Sequence, residues 1–191
     1  MEDYRLTNGV VWLSRPTVAD IDTIIECCQE PSIGRWTTIP VPYRREHAEQ
    51  FIYEIVAGGW AADRPTWALR EAADGPVAGM VGLGAVGTDH ASGMIGFWMV
   101  PRLRGRGLMT QAVGLACDFG FRRDRLGLAR IEWRAMVGNH ASAAVARRAG
   151  FRYEGLLRRG GPQRGERHDV WVAGRLATDS PGPADGWPPG V

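Results

Sequence analysis

Pro101-Arg102-Leu103-Arg104-Gly105-Arg106-Gly107-Leu108 stands between an apolar run, Ile95 to Val100, and a stretch that repeats apolar residues at helical spacing. A strand that stops at a proline, turns through two glycines and opens straight into a helix leaves several backbone N–H groups without partners. Those donors sit at the positive end of the helix dipole, and Arg102, Arg104 and Arg106 surround them. The arrangement predicts a site for a compact anion such as a phosphate group. A second glycine-rich stretch, Gly82-Leu83-Gly84-Ala85-Val86-Gly87, has dinucleotide-fingerprint spacing, but no amphipathic helix follows across Thr88 to Gly93. It reads as a strand and turn. A P-loop is excluded, because the sequence contains no lysine at all.

Outward from the loop, strands and helices alternate. Val10 to Arg15 reads as a strand, and Thr17 with Asp20 as a capping box opening a helix whose apolar face is Ile21, Ile24, Ile25 and Cys28. A loop, Ser32 to Tyr43, separates it from a second helix marked by Ala48, Phe51, Ile52, Ile55 and Val56. Trp67 to Arg70, Val77 to Val86 and Met94 to Val100 read as an antiparallel meander, its last two strands joined by a turn containing Gly87, Asp89 and Gly93. Leu108, Ala112, Leu115, Ala116 and Phe119 mark the helix after the glycine loop. A strand follows at Arg130 to Ala135, then a short helix with Asn139 as N-cap and Gly150 at its end. Strands at Phe151 to Arg158 and Arg167 to Leu176 close the fold. From Ala177 the proline- and glycine-rich tail is expected to be disordered, leaving residues 1–176 as one domain.

The composition, 45% hydrophobic and 23% charged over 191 residues, is that of a globular domain. The start Met1-Glu2-Asp3 lacks the basic character of a signal peptide, and no apolar run is long enough to span a membrane, so no membrane role and a cytoplasmic location are expected. Cys27, Cys28 and Cys117 have neither disulfide nor zinc spacing and read as small core residues; no metal is expected. The net charge of +2 hides a division: residues 1 to 100 carry 7 Arg against 13 acids, residues 101 to 175 carry 16 Arg against 6. The basic part suits an anion and the acidic part a cationic partner. Nucleic acid is not the expected anion, since no helix-turn-helix, RRM or zinc-finger pattern is present and aromatics are not interleaved with the arginines.

The element order, with Arg-x-x-Gly-x-Gly after the fourth strand, resembles the GNAT superfamily of N-acetyltransferases, and within it the RimJ/RimL branch. The residues that carry the likeness are Ile95 to Pro101, the pair Asn139 and Ser142, Gly150-Phe151, and Trp36 with Pro40, Pro42 and Tyr43. It spans roughly residues 8 to 176. The resemblance implies an α+β, three-layer fold: a largely antiparallel seven-stranded sheet flanked by four helices and splayed between strands 4 and 5. It implies acetyl-CoA as cosubstrate and direct transfer of the acetyl group to a primary amine: a protein or peptide N-terminus, or alternatively a polyamine or an antibiotic. A catalytically weak CoA-binding sensor is a further alternative. Dimers are common in this branch.

The resemblance also distributes roles. The N–H groups from about Leu103 to Leu108, with Arg102, Arg104, Gly105, Arg106 and Gly107, would hold the pyrophosphate, and Trp98, Met99 and Val100 would pair with the pantetheine arm. Many relatives protonate the departing thiolate with a tyrosine where this chain has Ala146. Ser142, one helical turn earlier, matches the serine attributed to the RimL branch. Asn139 is a helix N-cap, a pantetheine contact, or both. Trp36 and Tyr43 line either an acceptor groove or a hydrophobic lid. For a general base the sequence offers Glu132, Glu166, His168 and Asp169 without singling one out; Asp169 reads first as ordering the closing strand.

Overall fold

The computed structural model describes residues 4–86, 91–180 and 182–191. Its strands are β1 Leu6–Thr7, β2 Trp12–Ser14, β3 Thr66–Arg70, β4 Gly79–Val86, β5 Ser92–Met99, β6 Arg130–Met136, β7 Arg152–Gln163 and β8 Glu166–Leu176. They form one open sheet in the order β1-β2-β3-β4-β5-β6-β8-β7. Neighbours are antiparallel except β5 and β6, which run parallel. The helices are α1 Ile21–Cys28, α2 Pro31–Trp36, α3 Arg45–Gln50, α4 Ala57–Ala61, α5 Leu108–Phe121 and α6 His140–Arg148. The α+β class holds; the sheet has eight strands where seven were expected, the extra one being β1.

Three local departures have physical causes. The segment expected as a loop from Ser32 begins as α2, because Pro31 occupies a first-turn position that needs no N–H partner and the Glu30 carboxylate caps the Ser32 amide. Between α3 and α4 the backbone is π-helical over Phe51–Val56. Its wider turn keeps Ala48, Ile52 and Val56 buried but rotates Ile55 outward, 57% exposed, although simple helical spacing puts it on the apolar face. The third departure is the tail. The segment from Ala177 was expected to be disordered, yet Trp187 lies half-buried against Trp133 and Tyr153. A tryptophan that finds a hydrogen-bond partner for its N–H while covering apolar rings offsets the ordering of a short segment.

The core is anchored by Trp67 of β3, whose ring meets Trp60 and Phe119 edge-on. Beside it, the one buried ion pair among the described residues is fully satisfied. Arg70 donates to both oxygens of Asp20 at 2.9 and 2.8 Å, to Ser14 Oγ and to Gly75 O, while Asp20 also accepts the Thr17 N–H. Thus the expected capping residue also ties the first helix to β3, and neither charge is left unpaired in the interior. The three cysteines are buried and free. Burial pushes the Cys28 and Cys117 thiols up to about 12, so neither supplies a thiolate near neutral pH.

Two features of this frame create the functional cleft. The β3-β4-β5 meander pairs Gly79 through Val86 with Met99 back to Ser92, as expected; its turn at Gly87 and Asp89 lies outside the described residues. On its other side β5 pairs with β6 only from Ser92↔Arg130 to Ile95↔Trp133. Past those residues the two strands part, at the position where the sheet was expected to splay.

Candidate active site

A cleft of about 540 Å³ opens where β5 and β6 part, between α2 on one side and α6 on the other. Phe97, Trp98 and Met99 form its floor on the β5 side. Parallel pairing with β6 has already ended there, so the backbone edge that β5 turns toward β6 is open to a ligand.

The glycine loop closes one end. Pro101–Leu103 makes a single 3₁₀ turn, in which the Leu103 N–H donates to Val100 O at 3.2 Å and the Arg104 N–H to Pro101 O at 3.0 Å. These two amides are therefore spent, and the expectation that the cradle starts at Leu103 is corrected. From Gly105 to Thr110, in contrast, no backbone N–H donates to any group among the described residues. The run extends past Leu108 because α5 starts there, and its first three N–H groups have no carbonyl a turn earlier to reach. Gly107 sits at the helix N-cap with φ of 76°, and Gly105 has φ of 78°, left-handed values that other residues adopt only at a cost. Six consecutive free amides at a helix N-terminus are an arrangement of donors that suits a compact anion. Met109 and Thr110 were missed by sequence reading, although the predicted helix start was signal enough: the first turn of any helix carries orphan donors.

The arginines divide. Arg104 lines the cleft, and its Nε donates to Met99 O at 2.9 Å, which fixes the guanidinium beside the cradle. Burial lowers its pKa and the nearby Glu30 partly restores it. Arg106 turns away to pair with Glu71 at 2.7 Å. Arg102 is exposed and does not line the cleft, whereas Arg148, which sequence reading did not single out, does. Val100, Leu103 and Leu108 are buried core residues, and none of the three lines the cleft.

On α6 the side chains sort by face. Ala146, at the position where many relatives carry tyrosine, is fully buried and points into the core. Ser142 and Asn139 line the cleft. Asn139 Oδ1 accepts the Ser142 N–H at 3.3 Å, as an N-cap does, leaving the Asn139 amide group free to serve a ligand. Ser142 Oγ accepts a hydrogen bond from Trp133 Nε1 at 3.0 Å. An indole N–H can only donate, so the serine is the acceptor in this pair and its own hydroxyl proton is free to point elsewhere. Trp133 is 1% exposed, so the indole is held rigidly.

Trp36 lines the α2 side, its ring edge 3.5 Å from where a side chain on Gly138 would begin, which puts the β6–α6 turn beside the indole. Tyr43 does not join it. It is 7% exposed, its ring lies tilted against that of His47, and burial drives its hydroxyl pKa upward, all of which marks a core residue. The β7–β8 hairpin reaches across to the same region: Gln163 donates to Arg35 O and Thr37 O, and Arg164 to Gly34 O and Ile39 O. These bonds satisfy the last carbonyls of α2 and hold Trp36 over the cleft.

None of the candidate bases lines the cleft. Glu132 is bound between Arg130 and Arg134, Asp169 accepts the Arg159 N–H at 2.7 Å, and Glu166 is exposed. Asp169 thus orders the closing strands. The lining side chains include no carboxylate and no imidazole. Among the described residues no cluster of three or more His, Cys, Asp or Glu groups could hold a metal ion.

Comparison with known proteins agrees with this geometry. The acetyltransferase (GNAT) domain model matches residues 11–152. A Bacillus subtilis (strain 168) protein named "Putative ribosomal N-acetyltransferase YdaF" is 34% identical over 97 residues, which are 51% of this chain and 52% of that relative, so the match spans about half of each. Among solved structures, a RimL ribosomal L7/L12 alpha-N-protein acetyltransferase in complex with coenzyme A has a TM-score of 0.78 at 19% identity, covering 92% of this chain and 98% of its own. The Vibrio fischeri ribosomal-protein-S5-alanine acetyltransferase has a TM-score of 0.79 at 18% identity, with 93% and 98% covered. At such identities the likeness to the structures speaks for the fold. With the family model matched over most of the chain, the protein belongs to the GNAT family of N-acetyltransferases, whose cosubstrate is acetyl-CoA.

Proposed function

We propose that this protein transfers the acetyl group of acetyl-CoA directly to the N-terminal amine of a protein or peptide. The observation that carries the reading is the run of six free amides, residues 105 to 110, in which Gly105, Gly107, Met109 and Thr110 line the same cleft as Ser142. The amides and Arg104 hold the pyrophosphate, and Trp98 and Met99 border the slot that takes the pantetheine arm. Asn139 offers its side-chain amide to that arm.

In the transfer, the acceptor nitrogen forms a bond to the thioester carbonyl carbon, the carbon–sulfur bond breaks, and the proton lost by nitrogen must end on sulfur. Ser142 serves the sulfur end. The hydrogen bond it receives from Trp133 polarises its hydroxyl, whose free proton is available to the departing sulfur. Buried cysteines with raised pKa values speak for direct transfer over an acetyl-enzyme.

The lining without carboxylate or imidazole favours one acceptor class. With no carboxylate or imidazole among the described residues that line the cleft, the amine must arrive neutral. A peptide α-amine, with a pKa of about 8, is roughly a tenth neutral at pH 7, while an aliphatic amine with a pKa of about 10.4 is neutral in well under a thousandth of molecules. The names of the relatives point the same way. Attraction of a cation by the acidic half has less support. Asp20, Asp22, Glu46, Glu49, Glu71 and Asp74 are all engaged with arginines, and none lines the cleft.

Thiol release from acetyl-CoA, measured against peptides with different N-termini, polyamines and aminoglycosides, tests the reading. Peptides are expected to be acetylated fastest, with kcat/KM rising with pH and levelling near the α-amine pKa. A polyamine or aminoglycoside turned over faster than every peptide refutes the acceptor assignment.

A further inference from the structure

The segment past Ala177 returns to the active-site side of the sheet. The Ala184 N–H donates to Arg147 O at 2.9 Å, at the end of α6, and Trp187 Nε1 donates to Phe151 O at 2.9 Å. The Trp187 ring then lies 5.7 Å from the Trp133 ring and 5.7 Å from Tyr153, tilted against both. Trp133 is the residue whose single N–H is given to Ser142. The tail therefore touches both ends of the serine's support: the indole that bonds its oxygen, and the helix that carries it.

We infer that Trp187 is a positioning residue for acetyl transfer: packed against Trp133 and pinned to Phe151 O, it holds the indole N–H on Ser142 and so keeps the serine proton directed into the cleft. The inference rests on the role proposed for Ser142. An indole N–H has one direction, set by the tilt of its ring, and the ring's tilt is set by what packs against it. Removing the Trp187 ring frees Trp133 to rock, the bond at 3.0 Å lengthens, and the serine proton turns back toward the nearest other acceptor. Because the run at 105 to 110 spans the loop before α5 and its first turn, and the tail contacts α6, β6 and β7, binding of the cosubstrate is left largely unchanged.

A double-mutant cycle in the full chain tests this. Trp187→Ala is expected to lower kcat about fivefold while changing KM for acetyl-CoA less than about twofold, as for a small misplacement of one reacting group. In the Ser142→Ala background the same substitution is expected to cost nothing further, since the group it positions is gone. Where alanine at 187 does not fold, judged by thermal melting, Trp187→Leu replaces it with the same pattern and a smaller fall. An unchanged kcat, or an equal loss with and without the Ser142 hydroxyl, overturns the inference while leaving Ser142 in place. If Ser142→Ala alone leaves kcat unchanged, the serine's role fails first and the positioning role with it.

Discussion

Two glycine-rich stretches, 82–87 and 105–107, look alike in composition and behave oppositely in the structure. In the first, the described residues belong to β4: Gly82 lies opposite both Thr66 and Gly96, and Leu83 to Val86 continue the pairing with β5. Its backbone is engaged in a sheet ladder and opens no helix. In the second, the chain has left the sheet and has not yet closed a helical turn, so six amides in succession are free. What makes a phosphate site is therefore the supply of unspent N–H groups at a helix N-terminus, and glycine matters only because it lets the backbone reach that geometry.

This contrast can be broken at its strongest point by Gly107→Val. A β-branched residue at φ of 76° costs roughly 1–3 kcal/mol, and the loop escapes by closing its donors on itself. We expect KM for acetyl-CoA to rise by more than about tenfold with a smaller change in Tm, measured by thiol release and thermal melting. An added Cβ meets nothing within 4 Å in the protein, so the first cause of such a loss is the backbone geometry at this position. An unchanged KM means that the cradle lies elsewhere.

The charges around the loop sharpen the comparison at smaller scale. Arg104→Ala is expected to raise KM for acetyl-CoA about fivefold, because the guanidinium fixed on Met99 O is a charge-assisted donor beside the cradle. Arg106→Ala, which breaks only an exposed pair with Glu71, is expected to stay within about twofold. Equal effects would mean that the three arginines act as a diffuse field. Smallest of all should be Gly82→Ala, whose Cβ would come to 3.5 Å from Thr66 Oγ1, an ordinary contact within β4. Its KM and kcat are expected to match the unmodified protein, and a substantial rise in KM would place a ligand on the strand as well.

Much of the frame was legible because local signals and tertiary demand agreed. Ala112, Ala116 and Phe119 are buried where helical spacing puts them, and Asn139 caps α6 as its type suggests. Where the two disagreed, the sequence misled. The loop expected from Ser32 instead continues α2 as far as Trp36, since Pro31 is costless in the helix's first turn. Tyr43, placed beside Trp36 by family likeness, is buried, while Trp36 reaches the cleft.

Sequence alone determined the family, most of the strand and helix order apart from β1 and α2, and the helix start at Leu108 that leaves its first amides without partners, because periodicity, capping and glycine placement act over a few residues at a time. Tertiary structure decided which arginine is fixed beside the cleft, which turns away from it, and which residue donates to Ser142 Oγ. Those depend on Met99 O, Glu71, Trp133 and Trp187, partners that lie as far as 54 positions away along the chain from the one they meet. No local rule encodes a meeting that only the closed sheet brings about.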